Sequence, residues 1–492
     1  MIDLQTVMRS KGFYVVAGVI GLLVHLEFGL SLYGFSARVL CWLFLAVFLR
    51  FLFIFSQNPR ESSPLLLLIA FEYYLGFGAA QFSQDFMEMA YGPYEPDASV
   101  VLLALVLALI SEAVIFLFAA GRSAGSTARA ATNFYSLFPD AELLGSRQVL
   151  FYTLVVAVVT TVTTLRSDAV PANIRHFVDV VFQPYLVIPL LLFLGYRRNS
   201  RLLRWTAMVF TVYIALFGLV RGMLSEIIGP LYVFAMGHAA FGRRGINYRW
   251  VTAGIVIFAV LQPVKGNYRE LTWNAADWNT VEAIGGFGGA VDRLGYWVPA
   301  FEKFLADPFA SEQAVSATTR RFSGLLQLAH MIDWVPSRIP YKHGEGFSST
   351  LASFVPRFLW PGKPLSTVLY DRYAIDFGYA DWSQVTSTTT GLLMVEEGYW
   401  DFGYVGVLLY AAIFGLTIKV LFHNSKANAT RSVITLSFSA AIFQCLYALT
   451  IFIASLFSFF VGVWVALKLL ELASGWRRPS VMTAEAVVGS AA

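Results

Sequence analysis

Apolar runs of roughly 17–23 residues, each long enough as a helix to cross about 30 Å of hydrocarbon, recur along most of this chain. Their approximate spans are 13–32, 36–56, 64–82, 98–120, 148–166, 177–196, 205–220, 222–241, 250–264, 401–422, 432–449 and 453–472, the last two parted by a turn expected near Thr450. Hydrophobic residues make up 57% of the 492 positions and charged residues only 13%. The mean hydropathy of +0.64 exceeds what a water-soluble surface carries. The chain reads as an all-α polytopic membrane protein with about twelve transmembrane helices.

The first run follows Arg9 and Lys11 with no small-residue cleavage site behind it, the pattern of an uncleaved signal-anchor. Basic residues cluster at Arg122, Arg129 and Arg147, at Arg197, Arg198, Arg201 and Arg204, at Arg243, Arg244 and Arg249, at Lys426 and Arg431, and at Arg477 and Arg478. These clusters alternate as cytoplasmic loops, whereas the segment 83–97, with Asp85, Glu88, Glu95, Asp97 and no Arg or Lys, suits the opposite face. Both termini are then expected in the cytoplasm. Cys41 and Cys445 fall inside apolar runs, where they act as small hydrophobes and supply no disulfide or metal framework.

Four regions follow from the hydropathy: about nine membrane helices over 1–264, a polar segment over 265–390, about three helices over 391–473, and a small-residue tail over 474–492 that reads as disordered. The segment 265–390 is too long for a connector and too polar to be intramembrane, and by parity it is expected outside the cytoplasm, between the ninth and tenth spans. Within it, TTRRFSGLLQLAHMIDWVP puts Phe322, Leu325, Leu326, Ala329 and Ile332 at helical spacing, with Arg320, Arg321 and Asp333 off that stripe. The pattern predicts an amphipathic helix at the membrane surface. GGFGG at Gly285–Gly289 follows no apolar strand, so it reads as a hinge and not as a nucleotide loop.

Two stretches carry candidate chemistry. In SFVPRFLWPGKPLS, Pro356, Pro361 and Pro364 stiffen the backbone that bears Arg357, Trp360 and Lys363. A stiffly held guanidinium and ammonium beside a leaflet suit a lipid diphosphate, and ordinary headgroup contact is the rival reading. Arg293, Arg320, Arg321, Arg338, Lys342 and Arg372 are further cations of the same segment. In TTTGLLMVEEGYWDFGYVGVLLYAAIFGL, Glu396, Glu397 and Asp401 stand at the mouth of an apolar helix, where capping accounts for acids as well as catalysis does. Arg221 and Glu226 sit close in sequence at a span end, either as a pair or as an extension of the anion site.

Together these stretches resemble the Wzy-type polymerases of O-antigens, capsules and exopolysaccharides, the oligosaccharide repeat-unit polymerase family. The resemblance lies in Pro356, Arg357, Trp360, Pro361, Lys363 and Pro364, in Glu397, Phe402, Gly403 and Gly406, and in the order of many spans, one large outer segment and a few final helices. It implies a glycosyltransferase that moves a growing glycan from polyprenyl (undecaprenyl) diphosphate onto the next lipid-linked repeat unit, at the periplasmic face of a bacterial inner membrane.

In such an enzyme Arg357, Lys363, Arg321 and Arg338, with Arg221 and Trp360, would hold the leaving diphosphate. Glu397 is the acid that matches the resemblance, and His343 in YKHGEGFSS is the rival base because an ordinary imidazole titrates near neutrality. No Asp-x-Asp pair stands in the outer segment, so no metal or other cofactor is expected there. The partners implied are polyprenyl diphosphate-linked oligosaccharides and membrane lipids, with a chain-length regulator and a flippase as companions and no nucleic acid. An O-antigen ligase using the same donor, and a transporter that moves lipid-linked oligosaccharide without bond chemistry, are the alternatives.

Overall fold

A computed structural model describes residues 10–28, 34–57, 64–82, 96–120, 134–166, 170–242, 260–262, 264–269, 271–272, 286–306, 324–355, 359–360, 362, 368–379, 381, 391–422, 429–442 and 448–475. Helices dominate throughout. They run α1 (Lys11–Phe28), α2 (Phe35–Gln57), α3 (Pro64–Tyr73), α4 (Ala98–Ala120), α5 (Ser146–Leu165), α6 (Ala172–Val181), α7 (Pro184–Arg197), α8 (Arg201–Arg221) and α9 (Leu224–Phe241). After these come α10 (Gly286–Gly295), α11 (Trp297–Ala306), α12 (Gly324–Trp334), α13 (Gly346–Ser353), α14 (Val368–Asp376), α15 (Met394–Phe422), α16 (Ala429–Ile442) and α17 (Leu449–Gly475).

Among the described residues, 8 helices are long and apolar enough to cross a membrane: α2, α4, α5, α8, α9, α15, α17 and the stretch Phe177–Arg197 that joins α6 to α7. The chain is a multi-pass membrane protein in that sense. The other expected spans are not among these eight. α1 has 18 residues, the run at 64–82 forms ten residues of α3 before a π-helical turn at Tyr74–Gly78, and α16 is described over Ala429–Ile442, with 443–447 outside the described residues. The run at 250–264 lies outside the described residues except for its last few positions, and the tail from 476 lies outside them altogether.

The spans pack as membrane helices do, through small residues where backbones approach. α4 and α15 form the most extensive helix pair. A Cβ on Gly415 of α15 would sit 2.6 Å from the Ile115 carbonyl oxygen of α4, so only glycine permits this spacing. α7, α8 and α9 form an antiparallel set joined by tight turns, and α16 packs across α7 and α9.

Long-range hydrogen bonds fix which ends of the helices lie together. Arg198 donates to Ser146 Oγ at 2.7 Å, Thr430 Oγ1 accepts from Ala141 N–H at 2.9 Å, and the Tyr135 hydroxyl donates to the Leu421 carbonyl. The N-terminal ends of α5, α8 and α16 and the C-terminal ends of α7 and α15 therefore share one end of the bundle, the end rich in arginine at positions 197, 198, 201 and 204. The start of α15 and the C-terminal ends of α5 and α8 lie at the other.

Two expectations for the polar segment are corrected. α12 is not a helix half in water: every residue from Gly324 to Met331 is buried, including Gln327 and His330, because α12 packs between α4 and α15. Gly286–Gly289 is not a hinge but the opening of α10, whose Ala290 is buried against Leu165 and Val220. That burial offsets the helix cost of the glycines, about 1 kcal/mol each relative to alanine.

Candidate functional site

α15 carries the acidic cluster, and its backbone breaks where the cluster ends. Phe402 (φ −141°, ψ 21°) and Gly403 (φ 61°, ψ −144°) are non-helical, which divides α15 into a short first half (394–401) and a long second half (404–422). A side chain at Gly403 would be strained by its positive φ. The halves fold close together: a Cβ on Gly406 would lie 1.9 Å from the Gly398 carbonyl oxygen.

The break takes the Trp400 and Asp401 carbonyls out of the helical ladder, and the segment 341–345 uses them. Lys342 N–H donates to Trp400 O at 3.0 Å and His343 N–H to Asp401 O at 3.2 Å. Gly344 N–H then donates to Asp401 Oδ1 at 2.9 Å, and the Tyr410 hydroxyl donates to Oδ2 at 2.5 Å. Both oxygens of the buried Asp401 are thus engaged. His343 adopts φ 52°, a left-handed conformation that turns the chain over the break while leaving its ring exposed.

A cavity of about 340 Å³ opens here, lined by Tyr341, His343, Asp401, Phe402, Gly403, Tyr404 and Val405. It combines an exposed imidazole, a fixed carboxylate and aromatic faces. That set can bind a polyol or sugar ring and relay a proton.

Glu397 and Glu396 lie behind this cavity, not in it. Glu397 accepts from Thr450 Oγ1 at 2.5 Å and from Thr450 N–H at 3.3 Å, at the first turn of α17. A carboxyl oxygen at a helix N-terminus satisfies donors that have no intrahelical acceptor, so Glu397 caps α17 from another helix. Glu396 Oε2 accepts from Leu393 N–H at 2.8 Å, while its buried Oε1 has no hydrogen-bond partner among the described residues.

Other cations of the segment brace the site. Lys342 Nζ lies 2.8 Å from Asp376 and 4.9 Å from the centre of the Trp400 ring. Arg372 pairs with Glu345, which ties α14 to the same segment. Arg338 stacks on Trp334 at 4.8 Å, exposed to solvent. Beneath it, His330 is buried with Nδ1 2.9 Å from the Tyr379 hydroxyl. Burial pushes the His330 imidazole down to about 4, against a smaller upward pull from Asp333.

Of the residues singled out from sequence, His343 lines the cavity, Glu397 stands behind it, and Arg221 makes a 2.8 Å ion pair with Glu226 at the α8–α9 turn. That pairing answers the charge of Arg221 locally. Trp360 is described and exposed, whereas Arg357, Lys363 and Arg321 lie outside the described residues. Of the three acids at the helix mouth, Asp401 is the one that lines the cavity, and Tyr341 and Tyr410 join it without any sequence expectation. The available signal was Asp401 four residues after Glu397 and two before Gly403, an acid just ahead of a position able to break the helix. The described residues contain no group of three or more His, Cys, Asp or Glu able to hold a metal ion.

Residues 144–470, from the residues before α5 to the end of α17's apolar run, match the family model described as a domain of unknown function, DUF8712. The match spans more than half of the 492 residues and contains every element of the site. The chain belongs to the DUF8712 family. No curated protein and no solved structure matches it. The DUF8712 region thus unites the broken α15, the 341–345 segment and the capped α17, leaving α1 to α4 outside, although α4 supplies the main packing partner of α15.

Proposed function

We propose that this protein is a glycosyltransferase that polymerises oligosaccharide repeat units carried on polyprenyl diphosphate, working at the periplasmic face of a bacterial inner membrane. The observation that supports this reading best is the clamp at the α15 break, where the 341–345 segment holds His343 at the rim of the cavity beside the fixed Asp401. In the proposed reaction the acceptor sugar hydroxyl gives its proton to His343 and its oxygen attacks the anomeric carbon of the donor glycan. The bond from that carbon to the diphosphate oxygen breaks, and polyprenyl diphosphate leaves with the bonding electrons. Asp401, held by Gly344 N–H and the Tyr410 hydroxyl, fixes the segment that carries His343. Arg357 and Lys363, held between prolines, would neutralise the leaving diphosphate, a role that rests on the sequence.

The test gives purified protein in lipid nanodiscs a polyprenyl diphosphate-linked repeat unit and resolves the glycans by size. A ladder from the wild type that collapses in His343→Ala and Arg357→Ala supports polymerisation. Transfer only to a lipopolysaccharide core makes the protein a ligase instead. Intact substrate that is bound or moved across vesicles, with no transfer, overturns the reading in favour of a transporter.

A further inference from the structure

The elbow formed by α10 and α11 is pinned at the C-terminal ends of two membrane helices. Ala290 packs with Leu165 of α5 and Val220 of α8. Two of the last carbonyls of α8 accept side-chain donors from the polar segment: Leu219 O from the Trp297 indole N–H at 3.0 Å, and Val220 O from the Tyr268 hydroxyl at 2.7 Å. Trp297 stacks on Tyr268 at 4.5 Å, and Ala300 is fully buried behind them. This side of the elbow is therefore fixed to the bundle at the depth where the spans end.

The other side is mostly apolar and exposed, with Glu302 the one acid between Val298 and Leu305 on α11. Phe287, Val291 and Leu294 recur at i, i+4 and i+7 along α10, with Phe287 76% exposed, while Val298 and Leu305 (70% exposed) continue on α11. Asp292 lies off that stripe, on the far side of α10. Single exposed apolar residues are ordinary, but a cluster of them on one elbow is not. Exposed apolar side chains also climb α5 (Phe151, Leu154, Val158, Val162) and α8 (Val209, Val212, Leu216) towards the same end. Those faces belong to helices long and apolar enough to cross a membrane, so what covers them is lipid, and the same medium reaches the elbow.

We infer that the α10–α11 elbow is a membrane-interface anchor, its Phe287, Val291, Leu294, Val298 and Leu305 side chains inserted at the boundary between headgroups and acyl chains. Tyr296 at the corner, half exposed, is the residue type that favours that boundary. The elbow shares its end of the bundle with the α15 break. This inference does not depend on the reaction proposed above.

The full chain with Cys41→Ala and Cys445→Ala is reconstituted in nanodiscs of phosphatidylcholine and phosphatidylglycerol, with a nitroxide at Phe287→Cys, Leu305→Cys or, as the aqueous control, Asp292→Cys. The readout is the ratio of collisions with oxygen, which partitions into lipid, to collisions with a water-soluble nickel chelate. A ratio several-fold higher at positions 287 and 305 than at 292 is expected. Equal ratios at all three positions overturn the anchor. Spin–spin broadening at position 287 that vanishes on dilution with unlabelled protein overturns it too, by assigning this face to a second copy of the chain.

Discussion

The Thr450 hydroxyl meets Glu397 Oε1 at 2.5 Å and its N–H meets Oε2 at 3.3 Å, so a carboxylate on one half-helix closes the start of another helix 53 residues away. Thr450→Val keeps the shape and removes the hydroxyl donor, leaving a buried carboxylate one hydrogen bond short. The expected loss is about 1–3 kcal/mol of stability. Because neither residue lines the cavity, glycan transfer per folded molecule should persist. Thermal unfolding in detergent and the glycan ladder measure the two effects separately.

Gly406→Ala places a methyl where the Gly398 carbonyl oxygen already stands, and neither backbone can retreat without opening the α15 break. The variant should lose stability by about 2 kcal/mol or more. Gly362→Ala, which meets no atom within 4 Å, is the control and should unfold like the wild type in the same scan.

His343→Ala and Asp401→Asn separate chemistry from positioning. The His343 ring is exposed and its clamp bond is made by the backbone, so His343→Ala should leave the unfolding midpoint unchanged. If His343 is the base, transfer falls by about 10²-fold or more. Asp401→Asn presents an amide to two donors, Gly344 N–H and the Tyr410 hydroxyl, and cannot accept both in the same way. It should lower both the midpoint and the rate, and limited proteolysis should then cut near 341–345 sooner than in the wild type.

His330 makes stability pH-dependent. Its folded value is pushed down to about 4 by burial, from an ordinary 6.5, so between those values the unfolded chain binds a proton that the folded chain does not. The contribution is full above about 6.5, is lost as pH falls towards 4, and changes no further below that. In His330→Gln the fall in unfolding midpoint between pH 6.5 and pH 4 should be shallower than in the wild type. Identical slopes would show that His330 does not carry the dependence.

Much of the membrane architecture was legible because hydrophobic length is a local property. The spans at 36–56, 98–120, 148–166, 205–220 and 222–241 lie within a few residues of α2, α4, α5, α8 and α9. α12 shows where that reading stops. Phe322, Leu325, Leu326, Ala329 and Ile332 form the same stripe whether the opposite face meets water or protein, and only the packing of α4 and α15 buries Gln327 and His330 as well. The break in α15 was hidden for a related reason. Glycine is common in membrane helices, and nothing local separates Gly415, which lets a neighbour approach, from Gly403, which reverses the backbone.

Local sequence was enough to show that this chain forms helices long enough to span a bilayer, and which end of those helices carries the arginines. Each of those properties sums over neighbouring residues and needs no distant partner. Packing between distant segments makes Glu397 cap α17, lets Asp401 clamp the 341–345 segment and brings His343 to the rim of a cavity. A buried carboxylate takes its role from the donors that reach it, and here those donors arrive from 53 and 57 residues away along the chain.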